Sequence, residues 1–370
     1  MSETAPIRIL VVDDTVTYRK ILSDVVQTFP GTESVGVAAS GSIALRKLKQ
    51  LKVDLVLLDV FMPDMDGMQT LLEIRKHYPE IAVVMVSGVS TRHAESTIRA
   101  LEAGALDFIR KPDGHDIAEN IELLKKDIGP ILQTLSGRRG PPTPTAPPAA
   151  KPAPPPTAPP PRPSGRLPTA IDLFVIGSST GGPNALADVI PRLPEDLGVP
   201  VLIVQHMPPM FTQSLAQHLD KKSALNVREA VDEEPVKIGD VLIAPGGRHM
   251  TVRKKSTASG QDSLIIGLTD SPPVNSCRPS VDVLFRSVAG ANPGGILSLI
   301  MTGMGSDGAA GVAALKRKTC LSLAQDQLSC VVYGMSRAIV ERGLADEILP
   351  LERIAARALE IIKNKTNLMK

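Results

Sequence analysis

Several apolar runs in the first third of the chain end in groups able to handle a phosphoryl anion. Asp13-Asp14 follows Ile7–Val12, Asp59 follows Leu55–Leu58, Ser87 follows Val83–Val86, and Lys111-Pro112 comes after Asp107–Ile109. Three carboxylates at one edge repel unless a hard cation joins them, and Mg²⁺ suits carboxylate oxygens with some water retained. Lys111 would pair with an anion held there, and Ser87 would donate to a phosphoryl oxygen. Asp59 would then be the nucleophile toward a phosphoryl donor. A single strand-end aspartate is usually no more than a solvated carboxylate; the convergence of Asp-Asp, Asp, Ser and Lys is harder to dismiss.

A second constellation lies in the other half. Ile171–Ile176 runs into Gly177-Ser178-Ser179-Thr180-Gly181-Gly182-Pro183 and then a helical stretch, so GxSxG with Ser179 at its centre occupies a strand–turn–helix context. A bland Gly/Ser phosphate loop is disfavoured by the absence of GK[ST] and GxGxxG. A nucleophilic serine needs a base, and this half offers His206, His218 and His249. His206 follows Val201–Val204 at a strand end and is the first choice. His218 falls within a helical pattern over Thr212–Leu219 and reads as a surface residue, while His249 is a reserve candidate. Asp307, in the glycine-rich loop after Ile296–Met301, would orient the imidazole. Met304 in the same loop could offer its backbone N–H to an oxyanion. The order Ser, His, Asp differs from the Ser, Asp, His of ordinary α/β-hydrolases.

These groups need parallel sheets, whose functional edge is the carboxyl end of the strands. In the first part, Ser34–Ala38 and Asp107–Ile109 join the three apolar runs as strands. Helical patterns fall at Val16–Phe29, Ser42–Leu51, Met68–His77, His93–Ala103 and Ile117–Leu135. The alternation predicts a doubly wound five-stranded parallel α/β domain over 1–136. Beyond it, residues 137–168 hold nearly half of the 33 prolines and almost no large apolar side chain. Such a stretch builds no core and should act as a polyproline-like spacer of up to ~90 Å. Residues 169–367 then read as a larger α/β domain with a mostly parallel sheet, including Val241–Ala244 and closing on a helix over Leu351–Lys363.

A chain of 370 residues fits two domains, and 43% hydrophobic with 22% charged residues describes a globular protein. A net charge of +2 without a basic cluster leaves no nucleic-acid footprint. Three cysteines in no CxxC pair suggest a reducing compartment, with the thiols as small core residues. With no export signal and no apolar run of ~18 residues, the expectation is a cytoplasmic protein that does not insert in membranes.

The first part resembles a response-regulator receiver domain, through Val11-Val12-Asp13-Asp14, Leu58-Asp59-Val60-Phe61-Met62-Pro63-Asp64-Met65-Asp66-Gly67 and Lys111-Pro112. That resemblance implies phosphorylation at Asp59, with Mg²⁺ held by Asp14, Asp59 and the Phe61 carbonyl, and by Asp13 through water. It also places Ser87 and Phe108 as the hydroxyl and aromatic switch residues. The second part resembles the catalytic domain of chemotaxis protein-glutamate methylesterases. The matching stretches are Ile176–Gly182, Gln205-His206-Met207-Pro208, Ala244-Pro245-Gly246, His249-Met250, Arg278-Pro279-Ser280-Val281-Asp282, Thr302–Gly308 and Gln325-Asp326. Ser336 stands where that pattern has proline, and Cys277 where it has histidine or another polar residue.

The resemblance implies a triad of Ser179, His206 and Asp307, with Thr180 beside it and the Met304 amide at the oxyanion. It implies hydrolysis of glutamate methyl esters, and deamidation of glutamines, on methyl-accepting chemoreceptors, with no cofactor for the hydrolytic step. A chemotaxis histidine kinase would be the phosphodonor, and the unphosphorylated receiver would restrain the catalytic domain. Two rivals remain on the residues alone. One is a phosphorylation-gated docking module with a dead hydrolase fold; the other is a transcriptional regulator, for which no recognition-helix pattern is present.

Overall fold

The structure is a computed structural model that describes residues 5–112, 116–138, 168–256 and 262–363. The chain divides into two compact units, Met1–Thr157 and Ala158–Lys370. Most of the proline-rich segment read as a spacer lies outside the described residues.

In the first unit, strands β1 (Ile7–Val12), β2 (Thr32–Ala38), β3 (Leu55–Asp59), β4 (Ala82–Ser87) and β5 (Asp107–Arg110) form one parallel sheet in the order β2-β1-β3-β4-β5. Helices α1 (Val16–Gln27), α2 (Gly41–Leu48), α3 (Gly67–His77), α4 (Thr91–Glu102) and α5 (Ile117–Arg138) alternate with them. The central strands are apolar on both faces because helices cover both; all five residues of β3 are buried. Leu22, Val25 and Val26 of α1, with Leu124, Ile128 and Ile131 of α5, close one face of this core. Local chemistry sets the helix starts. Ser40 and Ser90 cap α2 and α4, and Asp66 forms a reciprocal capping box with Gln69.

In the second unit, strands β6 (Leu173–Ser178), β7 (Val201–Gln205), β8 (Asn226–Glu229), β9 (Asp240–Ile243), β12 (Ile296–Ile300), β13 (Cys320–Gln325) and β14 (Glu347–Leu349) make a seven-stranded sheet in the order β14-β13-β12-β6-β7-β9-β8. All its pairings are parallel. A separate antiparallel hairpin, β10 (His249–Ser256) with β11 (Asp262–Thr269), stands apart from this sheet. The helices are α6 (Gly182–Val189), α7 (Phe211–Asp220), α8 (Val281–Ala291), α9 (Ala309–Leu315), α10 (Met335–Glu341) and α11 (Leu351–Lys363). Phe285, Leu284 and Val288 of α8 pack with Val175, Val204 and Ile300 in the core of this unit. Both units are thus α/β with parallel sheets. Strand β6 begins two residues later than the apolar run suggested, because Asp172 turns to accept from the Gly295 amide at 2.7 Å. No helix among the described residues is long and apolar enough to cross a membrane.

Candidate functional site

The first unit gathers its chemistry at the carboxyl edge. Oxygen atoms of Asp13, Asp14 and Asp59 all lie within 4.8 Å of one another. Lys111 Nζ reaches Asp13 Oδ2 at 2.6 Å and Asp59 Oδ2 at 2.7 Å. Asp13 and Asp59 are buried whereas Asp14 is exposed. Burial pushes the Asp59 carboxyl up and Lys111 pulls it back, for a net position of about 6. Burial opposes the Lys111 charge, but Asp59 and Asp13 outweigh it and raise the ammonium pKa. A cluster of hard oxygen donors with an excess of negative charge fits Mg²⁺.

Ser87 is buried, and its Oγ lies 2.8 Å from Thr97 Oγ1, which in turn donates to the His93 carbonyl. The residue expected to meet a phosphoryl oxygen is therefore engaged with α4. The Phe61 ring is met edge-on by His93 at 4.6 Å, and the Arg92 guanidinium lies 4.8 Å from its centre. Phe108 is half-buried on β5.

In the second unit the β6–β7 register pairs Ser178 with Gln205, so Ser179 and His206 leave neighbouring strand ends side by side. Gln205 locks the turn between them, accepting from Ser178 Oγ at 2.7 Å and donating to the Ser179 carbonyl at 2.9 Å. Gly181 sits at φ 74°, a left-handed backbone that lets the turn pass directly into α6. A Cβ on Gly182 would come within 2.0 Å of Gln205 Oε1, so the lock requires glycine there.

His206 Nε2 is 2.8 Å from Asp307 Oδ2. Asp307 is buried and receives several further hydrogen bonds. Asn275 Nδ2 at 2.7 Å, Ser280 Oγ at 2.9 Å and the Asp282 amide at 3.1 Å reach Oδ1, while the Val281 amide reaches Oδ2 at 2.7 Å. Burial alone would raise this carboxyl, but the histidine and these donors bring it down to about 2. Burial alone would lower His206, yet Asp307 and Cys277 carry it up to about 9. An ionised carboxylate can only accept, so Nε2 carries a proton and Nδ1 is the basic nitrogen of the neutral ring.

The amides taken by Asp307 are those at the start of α8, where Ser280 supplies no side-chain cap. Asp282, in the first turn of α8, returns the contact by accepting from the Gly308 and Gly311 amides at 3.0 and 2.6 Å. The starts of α8 and α9 are thus tied by two reciprocal aspartates.

The structure brings His206 and Asp307 together and sets Ser179 beside them. The Ser179 hydroxyl makes no hydrogen bond among the described residues, and the group facing His206 Nδ1 is Cys277 Sγ at 3.5 Å. Thr180, half-buried, accepts through its carbonyl from Thr302 Oγ1 at 2.9 Å. Met304 is 43% exposed, with an amide that donates to no group among the described residues.

Some expectations are corrected. Cys277 is not a core thiol; it is half-buried against the imidazole, unlike the buried Cys320 and Cys330. His249 is no reserve base. Its ring is wholly buried, with Nδ1 accepting from the Ser280 amide at 3.2 Å and Nε2 facing the Pro272 carbonyl at 3.1 Å. His218 is half-buried on α7, not a surface side chain. The sequence reading missed Gln205 and Asn275 as site residues. Gln205 adjoins the histidine and could have been suspected; Asn275 carried no signal beyond a turn-forming Asn-Ser.

A phosphoryl-type pocket on one parallel unit, and a serine beside a histidine–carboxylate pair on the next, place the chain among response regulators with a hydrolytic α/β output domain. The response regulator receiver domain model matches residues 9–122, and the CheB methylesterase model matches residues 174–358. The chain is 43% identical over 364 residues to a protein-glutamate methylesterase/protein-glutamine glutaminase of Desulfotalea psychrophila, covering 96% of this chain and 99% of that one. It is 45% identical over 357 residues to the Symbiobacterium thermophilum protein of the same name, covering 95% of each. The chain belongs to the CheB methylesterase family. The crystal structure of the Thermotoga maritima CheB methylesterase catalytic domain is 39% identical, with a TM-score of 0.47, covering 52% of this chain and 98% of that one.

Proposed function

We propose that the chain hydrolyses glutamate methyl esters, and deamidates glutamines, on methyl-accepting chemotaxis receptors, and that phosphorylation of Asp59 stimulates it. The observation that carries the reading is the pairing of His206 with the buried Asp307 at the strand end beside Ser179. Ser179 Oγ attacks the ester carbonyl carbon as its proton passes to His206 Nδ1. Asp307 holds the Nε2–H and stabilises the imidazolium. The Met304 amide, with Thr180 alongside, faces the oxyanion. The tetrahedral adduct collapses, His206 returns the proton to the departing methoxide, and methanol leaves. Water then attacks the acyl-serine with Nδ1 as base, releasing glutamate and restoring Ser179. A glutamine differs only in releasing ammonia.

In this reading residues 1–136 are the receiver, 137–168 the linker and 169–367 the catalytic domain. A chemotaxis histidine kinase in the cytoplasm supplies the phosphoryl group to Asp59. Asp13, Asp14, Asp59 and the Phe61 carbonyl would hold Mg²⁺, whose charge offsets that of the transferred group. Ser87, Phe108 and Lys111 respond to the phosphoryl anion, with Ser87 giving up its contact to Thr97. The hydrolytic step needs no cofactor.

The test is methanol release from methylated receptor fragments, with and without a small-molecule phosphodonor. Release should rise with the donor, vanish in Ser179→Ala and lose its stimulation in Asp59→Asn. No methanol from the wild type or from a receiver-deleted fragment would refute the esterase and favour a docking role.

A further inference from the structure

Both ends of the His206–Asp307 pair are held by one short turn. Val274 and Cys277 exchange backbone hydrogen bonds of 3.1 and 2.9 Å, closing a two-residue loop over Asn275 and Ser276. Both loop residues have positive φ, 53° and 61°, as a type I′ turn requires. Asparagine tolerates this region, whereas serine does so at a cost. The turn delivers Asn275 Nδ2 to Asp307 Oδ1 at 2.7 Å and Cys277 Sγ to His206 Nδ1 at 3.5 Å. Asn275 also donates to Asp282 at 3.1 Å, anchoring the turn to the start of α8.

The geometry points to Asn275 and Cys277 as positioning residues of the esterase, a clamp that grips the acid and the base from opposite ends. This inference rests on the esterase reading. Asp307 alone fixes one ring atom and leaves the ring free to swing about that contact; the thiol on the opposite nitrogen removes that freedom. A thiol is a weak hydrogen-bonding partner. It holds the resting ring, yet yields Nδ1 to the stronger O–H···N bond of Ser179 when substrate draws the serine in. A hydroxyl at 277 would do the same; a methyl would not.

Asp307 and Cys277 face the imidazole directly. Farther back stand Asp282 with Arg286 at 3.6 Å, the buried His249, and Arg278, whose guanidinium is directed to the carbonyls of Asp270 and Ser271. Cys277 is among the groups that raise His206, so removing the thiol should also ease loss of the ring proton.

The experiment uses the full chain with ¹⁵N-labelled histidine rings and the variants Cys277→Ala, Cys277→Ser and Asn275→Ala. In Cys277→Ala we expect kcat to fall by about ten- to a hundredfold, as for a misplaced catalytic group, with KM within about twofold. The His206 ring should titrate at lower pH than in the wild type. Cys277→Ser should restore most of kcat, and Asn275→Ala should lose kcat as Cys277→Ala does. If Cys277→Ala does not fold, capping Cys277 with methanethiosulfonate on folded wild type, which buried Cys320 and Cys330 escape, supplies the same comparison. Wild-type kcat and an unmoved His206 titration in Cys277→Ala would overturn the clamp. A wild type that releases no methanol, while His206 still shifts in Cys277→Ala, would refute the esterase reading and leave the clamp standing.

Discussion

At the scale of single residues, the imidazole and the two key carboxylates are set far from their ordinary ionisation ranges. In the proposed mechanism His206 must be neutral to take a proton from Ser179, and its pKa is raised to about 9. Methanol release should therefore climb with pH through about 9 instead of levelling near 7, as a pH–rate profile of kcat/KM would record. Asp307→Asn should move that limb down and cut kcat by about three to four orders of magnitude, since the amide cannot support the imidazolium. Stability follows the opposite course for the same histidine. A raised folded pKa contributes stability in full below the unfolded value of about 6.5, and that contribution is lost as pH rises through about 9. Asp59 is also raised, to about 6. The protonated form favours the fold, so that gain is present at low pH and disappears as pH climbs through about 6. At neutral pH the ionised carboxylate strains its pocket, and Asp59→Asn should stabilise the first unit by about 1–2 kcal/mol in Mg²⁺-free urea denaturation.

At the scale of elements, Asp307 and Asp282 do for α8 and α9 what a side-chain cap normally does within one helix. Asp282→Ala would leave the Gly308 and Gly311 amides without their acceptor. We expect it to cost about 2–4 kcal/mol by urea denaturation, with Asp282→Asn milder because it still accepts. Ser276→Gly should add about 0.5–1 kcal/mol by relieving a left-handed serine. The same contrast governs what could be read in advance. Strands β3, β4 and β7 are apolar up to their last residue because helices bury both faces, and β1 and β12 are each broken by a single polar residue, Arg8 and Ser298. Ser179, His206 and Asp307 could be placed because each comes after such a largely apolar strand. The hairpin β10–β11 was not legible: Thr251-Val252-Arg253-Lys254-Lys255 alternates against charges, and Arg253 to Lys255 are exposed. Nor was Cys277, whose partner His206 lies 71 positions away and is reached only through a turn of two left-handed residues. Period and spacing carry no trace of such a contact.

At the scale of the whole molecule, each unit has a core of its own, one built on β1, β3, α1 and α5 and the other on β6, β7, β12 and α8. Calorimetry of the full chain should show two transitions. Asp59→Asn should move only the one belonging to the receiver, and Asp282→Ala only the other. A single transition displaced by both substitutions would show that the units unfold together. Separate cores give each unit a scaffold of its own. They also make the esterase testable without its receiver.

The tie between α8 and α9 bears on descent. Ser179 makes no side-chain hydrogen bond among the described residues, so a lineage that abandoned hydrolysis could exchange it at little cost to folding. Asp307 is different, because the start of α8 hangs on it. Inactive descendants of this fold should therefore discard the serine first and keep the aspartate as a fossil of architecture. Among homologues, a surviving aspartate would testify to the fold, and a surviving serine to the chemistry.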